Sequence, residues 1–147
     1  MYSSVHGTTG AVIMMACPDP IVGAGLAFVS HFLWDYVGET AIGNTKQSSL
    51  IEGSLLLAFL CSLGALGSPL IAFLGWVMGN LPDLIDKPLD WIFGRKQWFS
   101  CHNGKGLFQY KGWKLGYPVK FKLTKEQTLW ANIGSTILWL LFVCSAA

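Results

Sequence analysis

The sequence predicts an all-α fold: a polytopic membrane bundle of about five hydrophobic helices, set out as two short hairpins and a C-terminal helix. Three observations predict it. Of 147 residues, 52% are hydrophobic and only 12% charged, against about 25% charged in an ordinary soluble domain, and the mean hydropathy is +0.47. The apolar residues gather into five stretches separated by prolyl or polar breaks. None of these shows the alternation over roughly ten residues that a membrane β-strand needs, and a backbone in hydrocarbon must then satisfy its own hydrogen bonds as a helix. So little charge cannot cover a water-soluble globule of this size, which argues against a soluble enzyme, a disordered tail or a nucleic-acid-binding module. A net charge of +2 is too small to imply a polyanionic partner, and no nucleic acid is expected. The 7 Trp, 9 Phe and 17 Gly fit a membrane protein, where aromatic rings anchor at interfaces and glycines let helices approach.

A single integral-membrane domain, 1–147, is expected. Its first segment covers 4–17 and stops at Cys17-Pro18-Asp19-Pro20; the second covers 20–37. Asp19 before Pro20 and Ser68 before Pro69 each set a capping residue ahead of a proline at the first helical position. Each therefore marks the tight turn of a helical hairpin. The third segment, 49–66, and the fourth, 69–84, form the second hairpin, with Pro82 kinking or ending the fourth. A basic interfacial loop, 86–123, follows, and its stretch LDWIFGRKQWF lies along the headgroups. The fifth segment, 124–145, is entered through Leu123-Thr124-Lys125-Glu126-Gln127. An 18-residue helix is about 27 Å long, near the ~30 Å of a hydrocarbon core. The second, third and fifth segments meet that length; the first and fourth are shorter and need tilt or local thinning. The stretches that begin at Asp19 and Ser68 are also alike, which points to a duplicated hairpin.

Charge sets the orientation. Nine of the ten Lys and Arg fall between Lys87 and Lys125, the tenth is Lys46, and the two prolyl turns carry none. The positive-inside rule then puts the loops at 38–48 and 86–124 on the cytoplasmic side of an inner membrane, with the N-terminus inside and the C-terminus outside. No basic residue precedes the first apolar run, so no cleavable signal peptide is expected. Cys17, Cys61, Cys101 and Cys144 lack CxxC spacing and read as buried thiols.

This topology carries His6, His31, Asp35, Glu52, Asp83 and Asp86 from four helix ends toward one cytoplasmic patch, with His102 in the basic loop able to fold over it. His31 and Asp35, four apart, share a helical face; they either ligate one metal or form an intrahelical hydrogen bond at the interface. Asp83 and Asp86 either turn toward one site or form a solvated helix end. His6 is either a ligand or a hydrogen-bonded cap. Taken jointly, ionisable residues inside a membrane are costly and suggest function. Imidazole nitrogens with several carboxylate oxygens suit a divalent metal, zinc first, with manganese, iron or magnesium as alternatives.

The motifs His6-x-Thr8-x-Gly10, Ser30-His31-Phe32-Leu33-Trp34-Asp35 and Leu81-Pro82-Asp83-Leu84-Ile85-Asp86 together resemble those of small integral-membrane proteins grouped as membrane-bound metal-dependent hydrolases. That resemblance covers roughly residues 6–102. It implies metal-site candidates at His6, His31, Asp35, Asp83 and Asp86, and the catalytic pair is expected at Asp83 and Asp86. Where such proteins often continue to a Pro-His pair, this chain has Tyr36-Val37-Gly38-Glu39. The function expected is a metal-dependent hydrolase at the cytoplasmic face, acting on a lipid-like or phosphoester substrate. Lys105, Lys111, Lys114, Lys120 and Lys122 would hold an anionic headgroup. The alternative is a non-enzymatic membrane subunit of a larger complex or of a homo-oligomer, its polar cluster structural.

Overall fold

Small residues and two prolines at first helical positions, Pro20 and Pro69, give the first half of the chain its shape. The computed structural model describes residues 3–35, 37–38, 45–93, 109–110, 113–114 and 121–146. Its five long helices are α1 (Ser3–Ala16), α2 (Pro20–Asp35), α3 (Thr45–Ser62), α4 (Pro69–Phe93) and α5 (Lys125–Ala146), with a 3-10 turn at Leu63–Ala65 closing α3. Four two-residue strands pair in two ladders. Val37 and Gly38 run parallel to Phe121 and Lys122, and Gln109 and Tyr110 run antiparallel to Lys114 and Trp113. The described residues are therefore helical apart from these short bridges and turns, and the sequence pattern did not announce the bridges.

Caps end the helices where the residues say they should. Asp19 Oδ1 accepts from the Ile21 N–H at 2.8 Å and the Val22 N–H at 3.1 Å, opening α2. Ahead of α5, Thr124 and Gln127 form a reciprocal capping box: the Thr124 N–H donates to Gln127 Oε1 at 2.9 Å, and the Gln127 N–H donates to Thr124 Oγ1 at 3.2 Å.

Contacts between levels show which way each helix runs. Ser4 Oγ donates to Asn132 Oδ1 at 2.8 Å, while Ala11 shares a buried cluster with Trp139, so α1 and α5 are parallel. A side chain at Gly79 would meet the His6 backbone and one at Gly75 would meet Ala11, so α4 is antiparallel to α1. Helix α1 packs on every other long helix. It can do so because Ser4, Gly7, Thr8, Gly10 and Ala11 present little bulk, and dispersion between close backbones then replaces side-chain packing. The shared core holds Ala11, Phe59, Leu66, Ala72, Trp139 and Val143, and Trp139 Nε1–H donates to Ser62 Oγ at 2.7 Å, tying α5 to α3.

Three expectations are corrected. The fourth segment does not end near residue 84: α4 continues to Phe93, because Pro82 loses one N–H but its neighbours carry the helix on. The start of the basic loop is thus helical. The second expected hairpin touches through the Phe59–Trp76 ring stack, with centroids 5.9 Å apart, but α3 packs on α5 and α1 instead of along α4. Cys61 and Cys144 are exposed and Cys17 is half-buried, so these thiols are not core residues. Among the described residues, one helix, Lys125–Ser145, is long and apolar enough to cross a membrane; Ser49–Ala65 and Pro69–Ile85 are shorter apolar helices, and α2 has 16 residues.

The apolar surplus lies outside. Ile21, Val22, Leu26, Val29 and Leu33 on α2, Leu50 and Leu57 on α3, Leu70 and Leu74 on α4, and Trp130, Leu138 and Leu141 on α5 are all exposed, Ile21 by 83%. The polar residues lie inside: Ser4, His6, Thr8, His31, Asn80, Asp83, Thr128, Asn132 and Thr136 are buried. This inverts the water-soluble pattern.

Candidate metal centre

Three helices meet at one end of the bundle, and their buried polar residues meet with them. His6 and His31 are 0% exposed, Asp83 4% and Asp35 9%. His6 comes from the first turn of α1, His31 and Asp35 from the last turns of α2, and Asp83 from α4. The pairing depends on how closely α1 crosses α4. At Gly75 a Cβ would stand 2.8 Å from Ala11 Cα, and at Gly79 it would strike the His6 carbonyl. Only hydrogen at those two positions lets the α1 backbone lie against α4 and sets His6 beside His31.

The hydrogen bond of His31 decides its chemistry. Its Nδ1 lies 2.8 Å from the Gly79 carbonyl oxygen. A carbonyl only accepts, so Nδ1–H donates, and in the neutral ring Nε2 carries the lone pair. That Nε2 faces Asp35 Oδ2 at 3.2 Å and Asp83 Oδ1 at 3.9 Å. His6 Nε2 faces the other oxygen of the same carboxylate, Asp35 Oδ1, at 3.3 Å. The two imidazoles stack, with centroids 3.9 Å apart and planes 21° apart. A lone pair aimed at two carboxylates is repulsive until a cation lies between them. Protonating both rings would press two imidazolium faces together, so a shared cation suits the arrangement better than two protons.

Spacing supports the same reading. Charge-assisted hydrogen bonds run about 2.7–2.9 Å, shorter than these contacts. Ligands at ~2.0–2.1 Å from a tetrahedral ion are about 3.3 Å from each other, and each imidazole stands about that far from one oxygen of Asp35, His6 from Oδ1 and His31 from Oδ2. Ligand atoms of these three residues all lie within 4.8 Å of one another, and the buried group could hold a metal ion. The backbone carbonyl that fixes the other nitrogen of His31 is the usual outer support of a metal-bound imidazole. His6 Nδ1 and Asn80 Oδ1 are buried with no hydrogen-bond partner among the described residues; Asn80 Nδ2 donates to the Trp76 carbonyl at 3.0 Å.

Of the residues singled out by sequence, His6, His31, Asp35 and Asp83 come together. Glu52 is half-buried on α3 and stands outside the group. The side chain of Asp86, and His102 and Glu39 entirely, lie outside the described residues. Asp19 is a cap at the opposite end. Sequence reading missed Gly75 and Gly79, whose small-x-x-x-small spacing was the available signal, and Gly79 as the carbonyl that orients His31. Compared with family models, curated proteins and solved structures, the chain matches none.

Proposed function

We propose that the protein is an integral-membrane, metal-dependent hydrolase whose site opens at the cytoplasmic face. The observation that carries this is His31 Nε2, set by its Gly79 hydrogen bond to face Asp35 and Asp83 beside His6. With both imidazoles neutral, the two carboxylates would carry two negative charges, which one divalent ion would balance. In this reading His6, His31 and Asp35 hold the ion, and the mixed nitrogen and oxygen donors favour zinc over magnesium. Such an ion supplies Lewis-acid polarisation of a phosphoryl or carbonyl oxygen. Asp83, next to His31, takes the proton of the attacking water, with Asp86 one turn further along α4.

The membrane reading rests on the exposed apolar faces of α2 to α5 around a polar interior and on the spanning length of α5. The basic residues at 87–125 favour an inner membrane with the N-terminus cytoplasmic. They also favour anionic headgroups near the site. The resemblance of the His6, His31–Asp35 and Asp83–Asp86 motifs to those of membrane-bound metal-dependent hydrolases supports the same reading.

Elemental analysis of detergent-purified protein tests the reading. We expect one zinc or comparable divalent ion per chain, lost in Asp35→Asn and in His6→Ala. Wild-type protein without stoichiometric metal would overturn it. Full function in Asp35→Asn and Asp83→Asn together with a stable co-purifying membrane protein would favour a structural subunit instead.

A further inference from the structure

We infer that Asn132 of α5 is a positioning residue for the candidate metal centre: through Ser4 it backs the first turn of α1 and so aims His6. This role rests on the metal-binding reading above. The centre takes no side chain from α5, since His6, His31, Asp35 and Asp83 come from α1, α2 and α4. Yet a buried polar residue of α5 is tied to the turn that carries His6.

Asn132 is 0% exposed and Ser4 4%. Ser4 Oγ donates to Asn132 Oδ1 at 2.8 Å. The Asn132 amide is itself fixed, because Nδ2 donates to the Thr128 carbonyl at 2.7 Å. A carbonyl only accepts, so the amide cannot be flipped and Oδ1 is the end that faces α1. Ser4 is held a second time, its carbonyl accepting from Thr8 Oγ1 at 2.7 Å.

Ser4 and His6 are two residues apart on a helix, roughly 200° around its axis, so they lie on opposite faces of one turn. His6 turns its face to Asp35 and His31, while Ser4 turns the other to α5. The turn is gripped from behind by α5 and met in front by α4, where Gly79 lies against the His6 carbonyl. His31 needs no such backing, because its Nδ1 is tied to the Gly79 carbonyl. His6 Nδ1 has no hydrogen-bond partner among the described residues, so the aim of its ring follows the backbone of its turn. Helix ends fray most easily. Lipid supplies no hydrophobic drive between helices, so an interhelical hydrogen bond is what keeps such an end in place. The bond from Trp139 Nε1–H to Ser62 Oγ is the natural comparison. It also joins α5 to a neighbour, but seven residues further along, about 10 Å away from the site.

Cobalt(II) loaded into the detergent-purified protein tests the role, since its visible d–d absorption reports the geometry of the ligand set. Ser4→Ala and Asn132→Leu are expected to weaken cobalt binding by about tenfold, the lower end of the cost of removing an outer support, and to change the shape of the spectrum. Ser62→Ala removes the other bond of α5. It is expected to lower the unfolding temperature and to leave cobalt affinity and spectrum as in wild type. If Asn132→Leu does not fold, Ser4→Ala, which removes a single oxygen, decides the matter. An equal loss of cobalt in Ser62→Ala would overturn the inference, because the effect would then be one of general stability. Wild-type protein that binds cobalt while Ser4→Ala matches it in affinity and spectrum overturns the positioning role alone and leaves the metal reading standing. Wild-type protein that takes up no cobalt overturns the metal reading and the positioning role with it.

Discussion

His31 has one nitrogen occupied by a backbone carbonyl and the other aimed at two carboxylates, and this asymmetry makes the site specific at the scale of single residues. Ligands must be deprotonated to bind a metal, so acid competes with it: metal retained after dialysis is expected to fall on acidification and to return on neutralisation. Asp83→Asn keeps the shape of the side chain and removes its charge. It is expected to weaken metal retention or turnover by about 10–100-fold, read by competition with a chromophoric chelator. These residues were legible because histidine and aspartate are rare inside apolar segments and stand out there. The carbonyl of Gly79 was not legible, since every residue carries one and only the fold chooses which carbonyl faces an imidazole.

Between elements, the decisive contact is the crossing of α1 over α4. Gly75→Val or Gly79→Val would drive side-chain atoms into the α1 backbone. Overpacking of that kind costs about 1–3 kcal/mol, expected as a lower unfolding temperature in detergent together with loss of metal, because His6 moves with α1. Asp19→Ala is a contrasting case. It removes the cap that holds the Ile21 and Val22 N–H groups, costs about 1 kcal/mol, and should leave metal content unchanged at the far end of the bundle. Caps and turns were readable because they depend on residues adjacent in sequence. The end of α4 was misjudged because a proline weakens a helix locally, yet its neighbours can carry the helix past it. The second hairpin was misjudged because a short connection says that two helices are near at the turn, and nothing about whether they pack along their length.

For the whole molecule, the parallel run of α1 and α5 puts their N-terminal ends at the same face. In the orientation proposed above, with that face cytoplasmic, a reporter fused after Ala147 is expected to be active as periplasmic phosphatase and dark as a fluorescent protein; the opposite pair of results would reverse the orientation. The sequence pattern by itself determined that this chain is helical and poor in charge. Its few ionisable residues, spaced as they are, named most of the side chains that meet. Only the tertiary structure decided that α1 would be the shared centre, that Asp35 would face two imidazoles at once, and that Glu52 would stand apart. The physical reason is that hydropathy and capping are properties of a residue and its near neighbours. A candidate metal centre built from three helices depends on how closely their backbones approach, and here the missing side chains at Gly7, Gly10, Gly75 and Gly79 set that distance.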